Sequence, residues 1–284
     1  MIGTAEGTKQ ILNKYPFVFQ KKFGQNFLID PHVLQKIIGS AQITEEDCII
    51  EIGPGIGSVT EQLLQHAGKV ISIEIDNQLI PILEEQFGSQ ENFKLVHGDV
   101  LKVDLHELIE KEAQGRKVKV VANLPYYITT PIIMMLLENN LKIDSIVVMV
   151  QKEVAVRMAA EPGNKLYGAI TAAMNYYCET YLVANVPQNC FMPRPNVDSA
   201  VIKLTLHENP PIKVQNEKLL FAIIKASFAQ RRKTLLNTLS SNLGISKEEL
   251  KQLLDKAEID SNVRGETLGL KEFAHLADII DANR

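Results

Sequence analysis

This chain has little that would suit a disulfide scaffold, a metalloprotein or a membrane protein. Its 284 residues include three cysteines, Cys48, Cys178 and Cys190. The number is odd and no two stand at C-x-x-C spacing, so buried reduced thiols in a cytosolic protein are expected. The six histidines show neither H-x-x-x-H nor H-E-x-x-H spacing, and no metal site is expected. No run approaches the ~18 apolar residues of a membrane span. The segment from Met1 to Lys9 lacks the apolar core of a signal peptide. A cytoplasmic protein without a membrane partner follows as the expectation. An excess of positive charge is also missing, since the formal net charge is −4. Any polyanionic partner must therefore be met by a local basic cluster. Hydrophobic residues at 45% and charged residues at 23% suffice for an ordinary globular core.

Short apolar runs do recur. Cys48–Ile52, Lys69–Glu74, Phe93–His97, Val118–Ala122 and Ser145–Val150 read as strands, with helical patterns over 58–65 and 78–86. Strands spaced by helices predict βαβ units and a mostly parallel sheet covered on both faces. Ligands bind past the carboxyl ends of such strands. Later strand-like runs around Tyr181–Val183 and Ser199–Leu204 are expected to complete the sheet as an antiparallel edge. The segment from His207 to Pro211 is a polar break with two prolines. Beyond it the pattern is helical over 218–230, 233–243 and 270–280, with a capping box at Ser246–Glu249. The expected organisation is an α/β domain over 1–206 and a small all-α domain over 207–284.

The first strand runs into Glu51-Ile52-Gly53-Pro54-Gly55-Ile56-Gly57. Glycines permit a tight turn and let a ligand approach the backbone, which makes Gly53 and Gly55 candidate contacts. The dinucleotide fingerprint fails here, because Ser58 stands where its third glycine belongs. Pro54 removes an amide that a pyrophosphate would use. A loop with few free amides and an acidic neighbour suits a cationic or neutral ligand better than a diphosphate, and S-adenosylmethionine, which carries a sulfonium and an ammonium, qualifies. Glu74, about 20 residues beyond the glycines, is placed to accept both hydroxyls of a ribose. Asp99 reads either as an acceptor for an adenine amino group or as a plain turn aspartate.

The fourth strand ends in Asn123-Leu124-Pro125-Tyr126-Tyr127. A turn needs the Asn and the Pro but not the tyrosines. The amino group of a nucleobase is a poor nucleophile, because its lone pair is delocalised into the ring. The Asn123 side-chain oxygen and the Leu124 carbonyl would accept its N–H bonds and draw the nitrogen toward a tetrahedral shape. Pro125 fixes the turn that aims them. Tyr126 offers a face on which an extruded base stacks, worth ~1–3 kcal/mol.

Asn123-Leu124-Pro125-Tyr126 resembles the motif of the ribosomal RNA adenine N6-methyltransferase family. The resemblance extends to Phe23-Gly24-Gln25-Asn26-Phe27-Leu28, to Glu51–Gly55 and to Gln151-Lys152-Glu153-Val154. It continues through Phe191-x-Pro193-x-Pro195-x-Val197-Asp198-Ser199-Ala200-Val201 and Arg231-Arg232-Lys233-Thr234-Leu235. These stretches span nearly the whole chain and look most like the bacterial small-subunit branch, the 16S rRNA dimethyltransferases. The resemblance implies a Rossmann-like class I methyltransferase sheet and N6,N6-dimethylation of two adjacent adenosines near the 3′ end of 16S rRNA. It implies that Asn26, Leu28, Gly53, Glu74, Asp99 and Asn123 line an S-adenosylmethionine site, with the 23–28 segment as a lid. Phe191, in a loop stiffened by prolines, is expected to face Tyr126 across the target base. Lys21, Lys22, Arg231, Arg232 and Lys233 are expected to contact RNA phosphates. The expected partner is small-subunit rRNA in a partly assembled 30S particle, met by a monomer. Gly269 departs from the family, which often has a serine helix cap there. The nearest rival is the large-subunit adenine methyltransferase of macrolide resistance. Another is a ribosome-assembly factor for which methylation is secondary.

Overall fold

The apolar runs become strands where the sequence predicts them. In the computed structural model, which describes residues 1–20 and 24–283, the strands are β1 Phe27–Leu28, β2 Asp47–Ile52, β3 Lys69–Glu74, β4 Phe93–His97, β5 Lys117–Asn123, β6 Ser145–Gln151, β7 Cys178–Val186, β8 Phe191–Met192 and β9 Ser199–Leu206. Seven of them form one sheet in the order β4-β3-β2-β5-β6-β9-β7. β2 pairs in parallel with β3 and β5, β3 with β4, and β5 with β6. β9 runs antiparallel to β6. Every residue of β2 is buried, and all of β6 but its last, as a parallel sheet covered on both faces requires. The expected α/β class with an antiparallel edge is the observed one. β1 and β8 make a separate antiparallel pair, with Leu28 opposite Phe191.

Because β2 to β5 are parallel, their carboxyl ends share one edge of the sheet. That edge carries Gly53, Glu74, Asp99 and Asn123. The chain turns there at Gly53 and Gly55, both with positive φ. The helix expected over 58–65 is regular only over Thr60–Leu63 and starts without a side-chain cap. Gly57 is required just before it. Its φ is +92°, and a Cβ there would lie 2.4 Å from the ring of Phe87, itself buried in the core. Gly57→Ala is therefore expected to lower unfolding free energy by about 2–4 kcal/mol in urea titration, through strain and overpacking together.

The chain divides into two compact units, 1–155 with 180–206, and 156–179 with 207–284. The break after Leu206 coincides with the polar break in the sequence. Residues 156–179, read above as part of the first domain, group instead with the second unit. The reason is their apolar side chains. Tyr167, Ala172 and Tyr176 are buried in the same core as Leu220, Leu254 and Phe273, and the Tyr176 hydroxyl donates to Glu217 at 2.7 Å. The second unit is otherwise helical, over Glu217–Ser227, Leu235–Leu243, Lys247–Lys256 and Leu270–Ala282. Ser246 caps its helix by accepting from the Glu249 amide at 3.2 Å. Gly269 has no side chain to cap with, but its N–H donates to the Glu272 carboxylate at 3.0 Å, half of a capping box.

Candidate active site

One cavity opens along the carboxyl edge of the sheet, with about 1070 Å³ of space continuous with solvent. Its walls come from segments far apart in sequence: 24–28, the glycine loop, Glu74, Asp99 and 123–128. Asn26, Leu28, Gly53, Gly55, Glu74, Asp99, Asn123, Leu124, Pro125 and Tyr126 all line it. Its charged lining residues are Glu51, Glu74 and Asp99, with no Lys, Arg or His among the described residues. Among those residues no cluster could hold a metal ion. A cavity lined in this way repels a diphosphate and attracts a cation.

The Asn123 amide nitrogen donates to the Asn26 carbonyl at 3.1 Å. The Asn123 side-chain oxygen is thereby left for another donor. The Leu124 amide donates to the Met149 carbonyl at 3.2 Å, while nothing among the described residues donates to the Leu124 carbonyl. Two oxygen acceptors thus stand on adjacent residues. The Pro125 carbonyl accepts from the Ile128 amide at 3.2 Å and the Thr129 hydroxyl at 3.1 Å, pinning the turn. Tyr126 is half-buried, and its hydroxyl meets the Ser199 hydroxyl at 2.7 Å. Tyr127 is 60% exposed at the rim.

Glu74 is buried and turned back on its own strand end. Its Oε1 accepts from the amides of Ile75 at 2.9 Å and Asp76 at 2.8 Å. Its Oε2 receives one long bond, from the Gly55 amide at 3.3 Å, and retains capacity for a ligand. Burial pushes its carboxyl up to about 7, against those amide bonds. Glu51 is also pushed up to about 7 by burial, although the hydroxyls of Ser72 at 2.6 Å and Thr60 at 2.7 Å donate to it. Asp99 takes up its turn role by accepting from the Leu101 amide at 3.1 Å, and it is half-buried in the cavity wall.

The arm before β1 is tied down by side chains to which the sequence reading gave no individual role. Gln20 and Gln25 both donate to Asp76, at 2.9 and 2.5 Å, and the Gln25 side-chain oxygen accepts from the Gln20 amide at 2.9 Å. Glutamines carry no periodic signal, so only the fold reveals this clasp. Lys21, Lys22 and Phe23 lie outside the described residues. Phe191 departs from expectation. It is 4% exposed, packs in the core of the first unit and does not line the cavity. Its ring is spent on that core together with Phe27 and Leu28, so in this structure it is a core phenylalanine. Arg231, Arg232 and Lys233 are exposed on the turn between two helices of the second unit. There Arg231 donates to the Lys165 carbonyl at 3.2 Å.

The whole chain has close relatives. A profile described as Ribosomal RNA adenine dimethylase matches residues 17–281. A protein of Lachnoclostridium phytofermentans named Ribosomal RNA small subunit methyltransferase A is 56% identical over 283 residues, covering 99% of this chain and 98% of the relative. The crystal structure of a dimethyladenosine transferase from Plasmodium falciparum superposes with a TM-score of 0.74 at 28% identity, covering 88% of this chain and 95% of that one. A 23S rRNA methyltransferase, ErmE, shares the fold with a TM-score of 0.71 at 23% identity, over 90% of this chain and 100% of that one.

Proposed function

The chain belongs to the ribosomal RNA adenine dimethylase family, and from that premise we propose that it transfers methyl groups from S-adenosylmethionine to the N6 atoms of two adjacent adenosines near the 3′ end of 16S rRNA. The observation that carries this reading is the orientation of Asn123. Its amide nitrogen is spent on the Asn26 carbonyl, so its oxygen remains as an acceptor beside the Leu124 carbonyl. The cavity next to it is lined by carboxylates, with no Lys, Arg or His in the lining among the described residues.

The chemistry of S-adenosylmethionine when bound is a methyl group made electrophilic by its sulfonium. The residues present fit that cation. Glu74 offers its Oε2 to the ribose hydroxyls, and Gly53 and Gly55 let the ligand lie close to the backbone. Asp99 is half-buried in the cavity wall and offers an acceptor to the adenine. The Asn123 oxygen and the Leu124 carbonyl hold the N–H bonds of the target amine and raise its nucleophilicity, while Tyr126 holds the ring. No strong base is required, because an alkylated amino nitrogen is acidic and releases its proton to neighbouring acceptors or water. The catalytic contribution is alignment and electrostatics. The fit of 56% identity over 99% of the chain to a small-subunit enzyme supports the small subunit over the large one as substrate source. Mass spectrometry of small-subunit RNA after incubation with labelled cofactor tests this. Dimethyladenosine at two adjacent positions is expected. Label only in large-subunit RNA would overturn it.

The buried carboxyls give a pH dependence with a definite sign. Glu51 and Glu74 are held near 7 against an ordinary 4.5, because burial penalises their charged forms. The folded state therefore binds protons more tightly than the unfolded one. The stability this contributes is complete below about pH 4.5 and is lost as pH rises through 7, on the order of 3 kcal/mol per carboxyl. A cationic ligand beside them favours the ionised forms. Its binding should release protons near pH 6, with affinity rising up to about pH 7 and falling again above about pH 8, where the free ligand's own α-amino group loses its proton. Calorimetric titration of S-adenosylmethionine in buffers of different ionisation enthalpy reads this directly. Proton uptake at pH 6 would contradict it.

A further inference from the structure

We infer that Ser199 is a positioning residue, whose hydroxyl holds the Tyr126 ring at the angle at which the target base stacks. The inference rests on the reading of Tyr126 as the stacking platform and adds the group that orients it.

The sequence motif from Phe191 to Val201 opens on an aromatic residue, but Phe191 is spent on the core. The residue of that motif that reaches the Asn-Leu-Pro-Tyr turn is Ser199. Strand direction is the reason. Parallel strands start at the far edge of the sheet, so their first residues cannot approach the cavity. β9 is antiparallel to β6, and its first residue, Ser199, lies opposite the last residue of β6, Gln151. β6 in turn pairs with β5, whose final Asn123 lies opposite Met149. The start of β9 thus arrives at the edge where Tyr126 leaves β5.

Ser199 itself cannot wander. It is fully buried at 0% exposure, and the residue before it is fixed on both sides. The Asp198 carbonyl accepts from the Lys152 amide at 2.9 Å, and its carboxylate accepts from the Gln188 amide at 3.2 Å. Tyr126 is held at both ends. Its turn is pinned through the Leu124 amide and the Pro125 carbonyl, and its ring tip by the 2.7 Å bond to the Ser199 hydroxyl. A phenol with its tip fixed has lost the χ1 and χ2 freedom that stacking would otherwise have to remove. Preorganisation of this kind should show in the rate of transfer more than in the affinity for RNA.

The test is a double-mutant cycle in single-turnover methyl transfer to an adenosine-bearing hairpin RNA, using Ser199→Ala, Tyr126→Phe and the double variant. Phenylalanine stacks as well as tyrosine, so the cycle isolates the hydroxyl pair. Each single variant is expected to slow transfer by about three- to tenfold. RNA half-saturation and S-adenosylmethionine affinity should stay within about twofold, and the double variant should be no slower than either single one. Should Ser199→Ala fold poorly, Tyr126→Phe deletes the same bond from the exposed side without leaving a cavity. Tyr126→Ala separates the two layers of the argument. If it is as fast as the parent protein, the platform reading itself fails. If it is slow while Ser199→Ala and Tyr126→Phe keep the parent rate, or if their losses multiply in the double variant, the assignment of Ser199 is overturned. Lower melting temperatures with unchanged rates would also overturn it, since they mark a purely structural bond.

Discussion

Asn123→Ala should reduce methyl transfer by about a thousandfold or more, while affinity for S-adenosylmethionine drops by no more than about tenfold. The asymmetry comes from where the two groups sit. Asn123 supplies one of two adjacent oxygen acceptors at the end of β5, and its other amide atom is already committed to the Asn26 carbonyl at 3.1 Å. On the proposed reading, alanine removes the acceptor on which the attacking amine depends. It removes only one strut of the arm that borders the cofactor cavity, and Gln20 and Gln25 still fasten that arm to Asp76. Asn123→Asp sharpens the result. It keeps an acceptor oxygen but cannot donate to Asn26, so it should recover part of the rate and none of the strut. Stopped single-turnover transfer with labelled cofactor, paired with calorimetric binding, measures both quantities. Undiminished transfer by the alanine variant would remove Asn123 from the chemistry.

Replacing Arg231, Arg232 and Lys233 together by alanine should weaken RNA binding about a hundredfold at moderate salt. The plot of log affinity against log salt should flatten by roughly two to three units, as expected for three lost phosphate contacts at ~0.7–0.9 each. The rate at saturating RNA should hardly change. The net charge of −4 makes this cluster conspicuous, since nothing global attracts a polyanion. All three side chains are exposed on a turn between helices, where the Arg231 side chain donates to the Lys165 carbonyl and the Lys233 amide to the Gln230 carbonyl. Folding stability should therefore move little. A salt slope identical to that of the parent protein would mean that the cluster is only a solvated surface.

Several parts of the site were legible because local chemistry sufficed. Apolar runs bounded by turn residues marked the strands. Gly53 and Gly55 announced a loop that needs positive φ, and Glu74 and Asp99 stood at strand ends where a parallel sheet exposes ligands. Asn123–Tyr126 carried more polarity and aromaticity than a turn requires. Other parts left no local trace. Phe191 looked like a stacking face because its prolines suggested a stiff exposed loop, yet the ring is buried in the core of the first unit. Residues 156–179 run into a strand of the first unit in sequence, yet their aromatic side chains belong to the core of the second.

The sequence alone determined the order of strands and turns along the chain, and the residue types available at each strand end, since these depend on periodicity and on backbone constraints within a few residues. Only the tertiary structure decided which side chains meet. That Asn123 gives its nitrogen to Asn26, that two glutamines clasp Asp76, and that Ser199 rather than Phe191 reaches Tyr126 all depend on strand order and direction. Those follow from the joint burial of surfaces far apart in sequence, which no local pattern encodes.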